Sequence, residues 1–121
     1  MVLLDANMIL RYLLDDNEIM AKHAALYIDS GNASVTIEVI AEVIYVLKGV
    51  YLLNRHKIAE TIQQFLSLVR CRDEKVLMFA LDTFDKHNLD FVDCILYAYY
   101  KVERAEIATF DKQLLRLMEQ Q

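Results

Sequence analysis

The stretch Val2-Leu3-Leu4-Asp5-Ala6-Asn7 decides how the chain is read, because it puts a carboxylate at the end of an apolar run where burial ordinarily forbids one. An apolar run this short reads as a buried parallel strand. With Val2 to Leu4 as a central strand of an α/β sheet, Asp5 falls on its carboxyl edge, where such sheets bind ligands. Met8 to Leu14 then has the apolar content of a short helix. Asp5 and Asn7 suit a second role as well, capping that helix, since both residue types accept hydrogen bonds from free backbone N–H groups.

Outward from this stretch, Asp15-Asp16-Asn17 reads as a turn, with Asn17 capping a helix over Ile19 to Ile28 that Ser30-Gly31-Asn32 ends. Ala33 to Thr36 is a short second strand. A long helix follows from about Ile37 to Leu52, apolar around most of its circumference and so expected to be largely buried. Gly49 inside it predicts a bend or a close packing contact. Asn54 caps the next helix, whose Ile58, Ala59, Ile62, Phe65 and Leu66 share one face, while Arg55, His56 and Lys57 make a small basic cluster. Leu68 to Cys71 reads as a third strand, and Asp73-Glu74 opens a helix that His87-Asn88 closes. Asp90 and Asp93 sit at the mouth of another apolar helix with the spacing of a capping box. Ile107 to Thr109 reads as a last strand, and Phe110-Asp111 starts the C-terminal helix, where Asp111 again suits a cap.

Composition bounds the rest. The 121 residues fit one domain with a sizeable core, and 56% apolar with 26% charged residues predicts a packed chain rather than a disordered one. No apolar run approaches bilayer length and no secretory signal opens the chain, so no membrane association and a cytoplasmic protein are expected. Cys71 and Cys94 have no partner motif, which argues against a disulfide framework or a zinc site, and Cys94 is expected in the core. His23, His56 and His87 share no spacing and are expected at the surface. A net charge of −5 disfavours nucleic-acid binding by bulk electrostatics alone, but not an acidic site that holds metal ions.

Strands alternating with helices in this order belong to an α/β fold with a mainly parallel sheet. In such a sheet, strand ends and helix starts lie on one edge, so Asp5, Asp93 and Asp111 converge there and Glu42 approaches from the long helix. Glu38 and Glu42 share a face of that helix; Glu38 near its start is favoured by the macrodipole, and Glu42 reads either as a solvated residue or as a ligand. Each acid alone is explained by capping or solvation. Four in a shared cleft repel unless cations neutralise them, and Mg²⁺ or Mn²⁺ with oxygen ligands fit that demand.

Four segments in this order, LLDANMILRYLL (3–14), VIAEVIYVLKGVY (39–51), LDFVDCILYAYY (89–100) and ATFDKQL (108–114), resemble the PIN-domain ribonucleases, especially the VapC-like toxins of bacterial and archaeal toxin-antitoxin pairs. The resemblance spans nearly the whole chain, read as a single PIN-like domain over 1–121, and implies a three-layer α/β/α sandwich around a mainly parallel sheet. It implies a metal site of Asp5, Glu42, Asp93 and Asp111 holding one or two Mg²⁺ or Mn²⁺ ions, supported by Asn7, Asp90 and Thr109. RNA as substrate, products with 5′-phosphate and 3′-hydroxyl ends, a cognate antitoxin covering the site and a homodimer are implied in the same way. Thr36 stands where many relatives carry Pro or Ser, and Gly49 is uncommon, but neither touches the four acids. Arg11, Lys48, Lys112 and Arg116 are candidate cations for the RNA backbone, and the tyrosines, Tyr45 and Tyr97 among them, exceed what one small core takes up and suit interfaces.

Two other classes share features of this sequence. An aspartate-based phosphoryl-transfer protein also places an acid after its first strand, but a phosphatase wants a second acid where Asn7 stands and a receiver domain wants an acidic pair at that strand end. In a non-catalytic binding module with the same fold, the acids are caps and no divalent metal binds.

Overall fold

Pairing starts at the first residues of the chain. The structure, a computed structural model describing residues 1–120, aligns β1 (Val2–Leu3) parallel to β2 (Ala33–Ser34), with Val2 opposite Ala33 and Leu3 opposite Ser34. A parallel bridge joins Ser34 to Arg70 on the other side of β2, so β2 takes the middle place and β1 is an edge strand with Leu3 exposed, not the buried central strand its apolar run predicts. The helices are α1 (Ala6–Leu14), α2 (Glu18–Asp29), α3 (Ile37–Gly49), α4 (Arg55–Phe65), α5 (Glu74–Lys86), α6 (Phe91–Glu103) and α7 (Lys112–Glu119). The described residues thus form a helix-rich α/β fold with a small parallel sheet.

Local chemistry sets most helix starts. Asp5, Asn17, Thr36, Asn54 and Asp111 each accept the N–H three residues on, at 2.8, 3.0, 3.2, 2.8 and 2.8 Å. A cap of this kind is typically worth about 1 kcal/mol. Asp15 ends α1 in the left-handed region, at φ 49°, a conformation that short polar side chains tolerate. The apolar faces of these helices meet in one core that includes Ile9, Ile40, Ile44, Leu47, Ile62, Phe65, Leu77, Leu81, Phe84 and Leu114.

Several expectations are corrected. The third strand shrinks to the single bridge at Arg70, because Ser67 N–H and Leu68 N–H donate back to Gln64 and Phe65 carbonyls and hold that backbone in a turn. Residues 107–109 form no ladder among the described residues, although half-buried and exposed side chains alternate from Ala105 to Phe110 as in a strand. The long helix stops at Gly49 rather than Leu52, and the turn after it uses Leu52 at φ 57°. A Cβ at Gly49 would meet nothing within 4 Å, so this glycine marks a helix end and makes no close contact. That helix is also less buried than its composition predicts: Glu38, Glu42, Tyr45 and Lys48 are exposed. The capping box at α6 does not form, since Asp90 makes no side-chain capping bond. Asp at the third helical position is one methylene shorter than the Glu such a box prefers.

Candidate active site

Asp5 lies one residue beyond β1, in extended backbone, after Leu4 N–H continues the pairing by donating to Ser34 O at 3.0 Å. Its carboxylate is exposed, and only Oδ1 is engaged, by Met8 N–H. Among the described residues Oδ2 has no hydrogen-bond donor, so capping leaves a lone-pair face open to a ligand. Asp5 and Asn7 line a surface cavity of about 290 Å³ together with Arg11, Ile19 and His23.

Asp111 repeats the arrangement at α7. Its Oδ1 accepts Leu114 N–H at 2.8 Å, and its own N–H donates to Thr109 Oγ1 at 3.0 Å, so Thr109 fixes the backbone that carries the acid. Asp93, in the first turn of α6, is half-buried and makes no capping bond. Burial pushes its carboxyl above the usual range, and the nearby charges of Asp111 and Asp90 push it further in the same direction. The structure therefore brings Asp111 and Asp90 each into electrostatic reach of Asp93. Asp90 also lines a groove of about 370 Å³ between α3 and α6, with Tyr45 and Lys48. Glu42 is exposed on α3, one turn after Glu38.

Among the described residues, no three acidic, histidine or cysteine side chains stand close enough together to hold a metal ion as they are. The donor chemistry nonetheless fits a hard divalent cation. Asp5, Glu42, Asp93 and Asp111 all offer carboxylate oxygens, the donors such a cation takes.

The polar residues elsewhere divide more sharply than the sequence suggests. Arg11 is held by Asp16 at 2.7 and 2.8 Å and by Tyr51 Oη at 3.3 Å, so an ion pair already neutralises this candidate cation. Lys48 lies 6.0 Å from the centre of the Phe84 ring. Lys112 and Arg116 are exposed. All three histidines are exposed as expected, and His56 Nδ1 lies 3.0 Å from Asp85 Oδ1. Cys71 and Cys94 are free; Cys94 is in the core, where burial pushes its thiol up to about 12, and its Sγ–H donates to Leu89 O at 3.5 Å.

Sequence reading overlooked two residues. Arg55 belongs to the basic cluster in sequence but turns inward: Nε donates to Phe84 O at 2.7 Å, Nη2 donates to Leu89 O, and the guanidinium lies 3.7 Å from the centre of the Phe84 ring. It ties the start of α4 to the segment that leads into Asp90 and α6. No local pattern marks it, because both acceptors are about thirty positions away. The other is Phe110, whose relative exposure of 102% is the largest of any large apolar side chain among the described residues. An aromatic directly before an acid at a helix start was its available signal.

The helix-rich α/β fold thus carries carboxylates just after its first strand and at the starts of α6 and α7, with Asn7 in the first turn after Asp5. Compared with known families, residues 2–119 match the PIN domain, and the chain belongs to the PIN domain family. PIN domains are generally nucleases, hydrolysing phosphodiester bonds. Neither the curated proteins nor the solved structures include a match. No helix among the described residues is long and apolar enough to cross a membrane.

Proposed function

We propose that this chain is a Mg²⁺- or Mn²⁺-dependent endoribonuclease, a VapC-like toxin of a toxin-antitoxin pair acting in the cytoplasm as a homodimer. The whole chain serves as one nuclease domain, and a cognate antitoxin restrains it. What carries the reading is the PIN match over residues 2–119 with acids standing at Asp5, Glu42, Asp93 and Asp111, the positions the family resemblance assigns to the metal site.

In this reading those four carboxylates hold one or two divalent ions. When bound, such ions neutralise the phosphodiester, lower the pKa of an attacking water and stabilise the leaving oxygen. The chain's own residues supply position. The α1 and α7 caps fix Asp5 and Asp111 through one oxygen each and leave the other free. Thr109 holds the backbone at Asp111, and Asn7 offers an exposed amide beside Asp5 for a phosphate oxygen. Asp93, half-buried beside two like charges, gains most from a neutralising cation.

One observation favours a second reading, a binding module without catalysis: the capping bonds account for Asp5 and Asp111 without a metal. RNA cleavage assayed with Mn²⁺ and with excess EDTA separates the two, alongside Mn²⁺ calorimetry. The nuclease reading expects saturable Mn²⁺ binding and EDTA-sensitive cleavage leaving 5′-phosphates, whereas a chain that binds no Mn²⁺ and cuts no RNA is a binding module.

A further inference from the structure

Phe110 stands fully in water while the rest of α7's entry is strapped down. On one side Asp111 N–H is bonded to Thr109 Oγ1 at 3.0 Å, and on the other Asp111 Oδ1 holds Leu114 N–H at 2.8 Å. The ring is therefore carried on backbone held in place and directed outward, one residue before an acid that lies within electrostatic reach of Asp93. A large apolar side chain left in water forgoes the favourable burial that other phenylalanines of this chain obtain in the core, Phe65 and Phe84 being fully buried. Lys112, two positions further on, is an exposed cation at the start of the same helix.

From this placement we propose that Phe110 is a stacking platform for an unpaired base of single-stranded RNA, seated beside the Asp93–Asp111 pair with Lys112 toward the backbone. The assignment rests on the nuclease reading above and extends it to the form of the substrate. Electrostatics supply the reason such a platform is needed. With a net charge of −5 and acids at the site, the counterion-release contribution that dominates most nucleic-acid binding is poor here. Base stacking on an aromatic face owes nothing to net charge and tolerates any base. Single-stranded segments present such faces, whereas the bases of a duplex are already stacked on one another.

The sequence contains no tryptophan, so a Phe110→Trp variant carries a single indole reporter at the proposed platform. The probes are a short oligoadenylate, the same backbone without bases, and a duplex of the same length, titrated in EDTA so that no cutting intervenes. Oligoadenylate is expected to quench the indole, and the other two are not. Phe110→Ala and Phe110→Leu are expected to bind oligoadenylate about 5- to 150-fold more weakly than the native protein, the range corresponding to one stacked base. Their melting should be unchanged, because the ring is fully exposed. Native-like affinity in Phe110→Ala, no detectable binding of oligoadenylate by the native protein, or equal quenching by the base-free backbone would each overturn the proposal. So would unchanged RNA affinity with a fall in mass by light scattering in Phe110→Ala, which would make the ring a protein contact. Quenching without Mn²⁺-dependent cleavage would leave the platform standing and refute the nuclease reading; cleavage without quenching would do the reverse.

Discussion

Replacing Arg55 with alanine removes a side chain that joins three separate pieces of the molecule, and its cost can be worked from the contacts. Two hydrogen bonds from a charged donor reach the Phe84 and Leu89 carbonyls, and the guanidinium covers the Phe84 ring at 3.7 Å. Hydrogen bonds to charged groups are each worth about 1.5–3 kcal/mol and the ring contact about 0.5–2 kcal/mol. Against these stand about 2 kcal/mol of side-chain entropy that the variant no longer forfeits and partial re-solvation of the carbonyls, since Arg55 is only half-buried. A net loss of roughly 2–4 kcal/mol follows, or roughly 10 °C in Tm for a chain of this length. Arg55→Lys should fall between, because an ammonium is a point donor that cannot bridge both carbonyls or lie flat on the ring. Function should suffer beyond stability. The bond to Leu89 O holds the residue before Asp90, and Phe91 at the start of α6 packs edge-on against Phe84 at 5.7 Å, so loosening this corner displaces Asp93. Urea and thermal unfolding of the three proteins, with RNA cleavage measured well below their melting temperatures, test the chain of reasoning. An alanine variant within about 0.5 kcal/mol of the native protein, the range of an ordinary surface change, would refute it.

Asp5→Asn should leave stability nearly unchanged, since an amide oxygen still caps α1, and should lower Mn²⁺-dependent RNA cleavage by orders of magnitude; near-normal cleavage by the folded variant would remove Asp5 from the site. Asp93 titrates above its unfolded value, so between the two values the native state binds more protons than the unfolded chain and stability falls as pH rises through that window. In EDTA, Asp93→Asn should therefore melt higher than the native protein at neutral pH and lose that part of the pH dependence, as thermal melts from acid to neutral pH would record. Glu42 is exposed, so Glu42→Gln should stay within about 0.5 kcal/mol of native stability in EDTA. If Glu42 holds metal, the Mn²⁺-induced rise in Tm should shrink in that variant through the binding linkage, and an unchanged rise would exclude it.

What the sequence determined by itself is what a few neighbouring residues settle. The cap at Asp5 and those at Asn17, Asn54 and Asp111, the helices' apolar faces and the buried Cys94 all rest on hydrogen bonds within three residues or on a helical period. The four segments around Asp5, Glu42, Asp93 and Asp111 were legible for the same reason, as short patterns in a fixed order. Tertiary structure alone decided where competing local bonds won, as at Ser67 and Leu68, whose turn reduces a strand to one bridge at Arg70. It also decided which charges meet. Asp93 and Asp111 lie on different helices, and only the docking of α7 against α6 brings their charges into reach and leaves one half-buried. Arg55 points inward and Phe110 outward for the same kind of cause: a side chain's surroundings are set by elements distant in sequence, and Coulomb energy and burial depend on distance in space, which residue order along the chain does not encode.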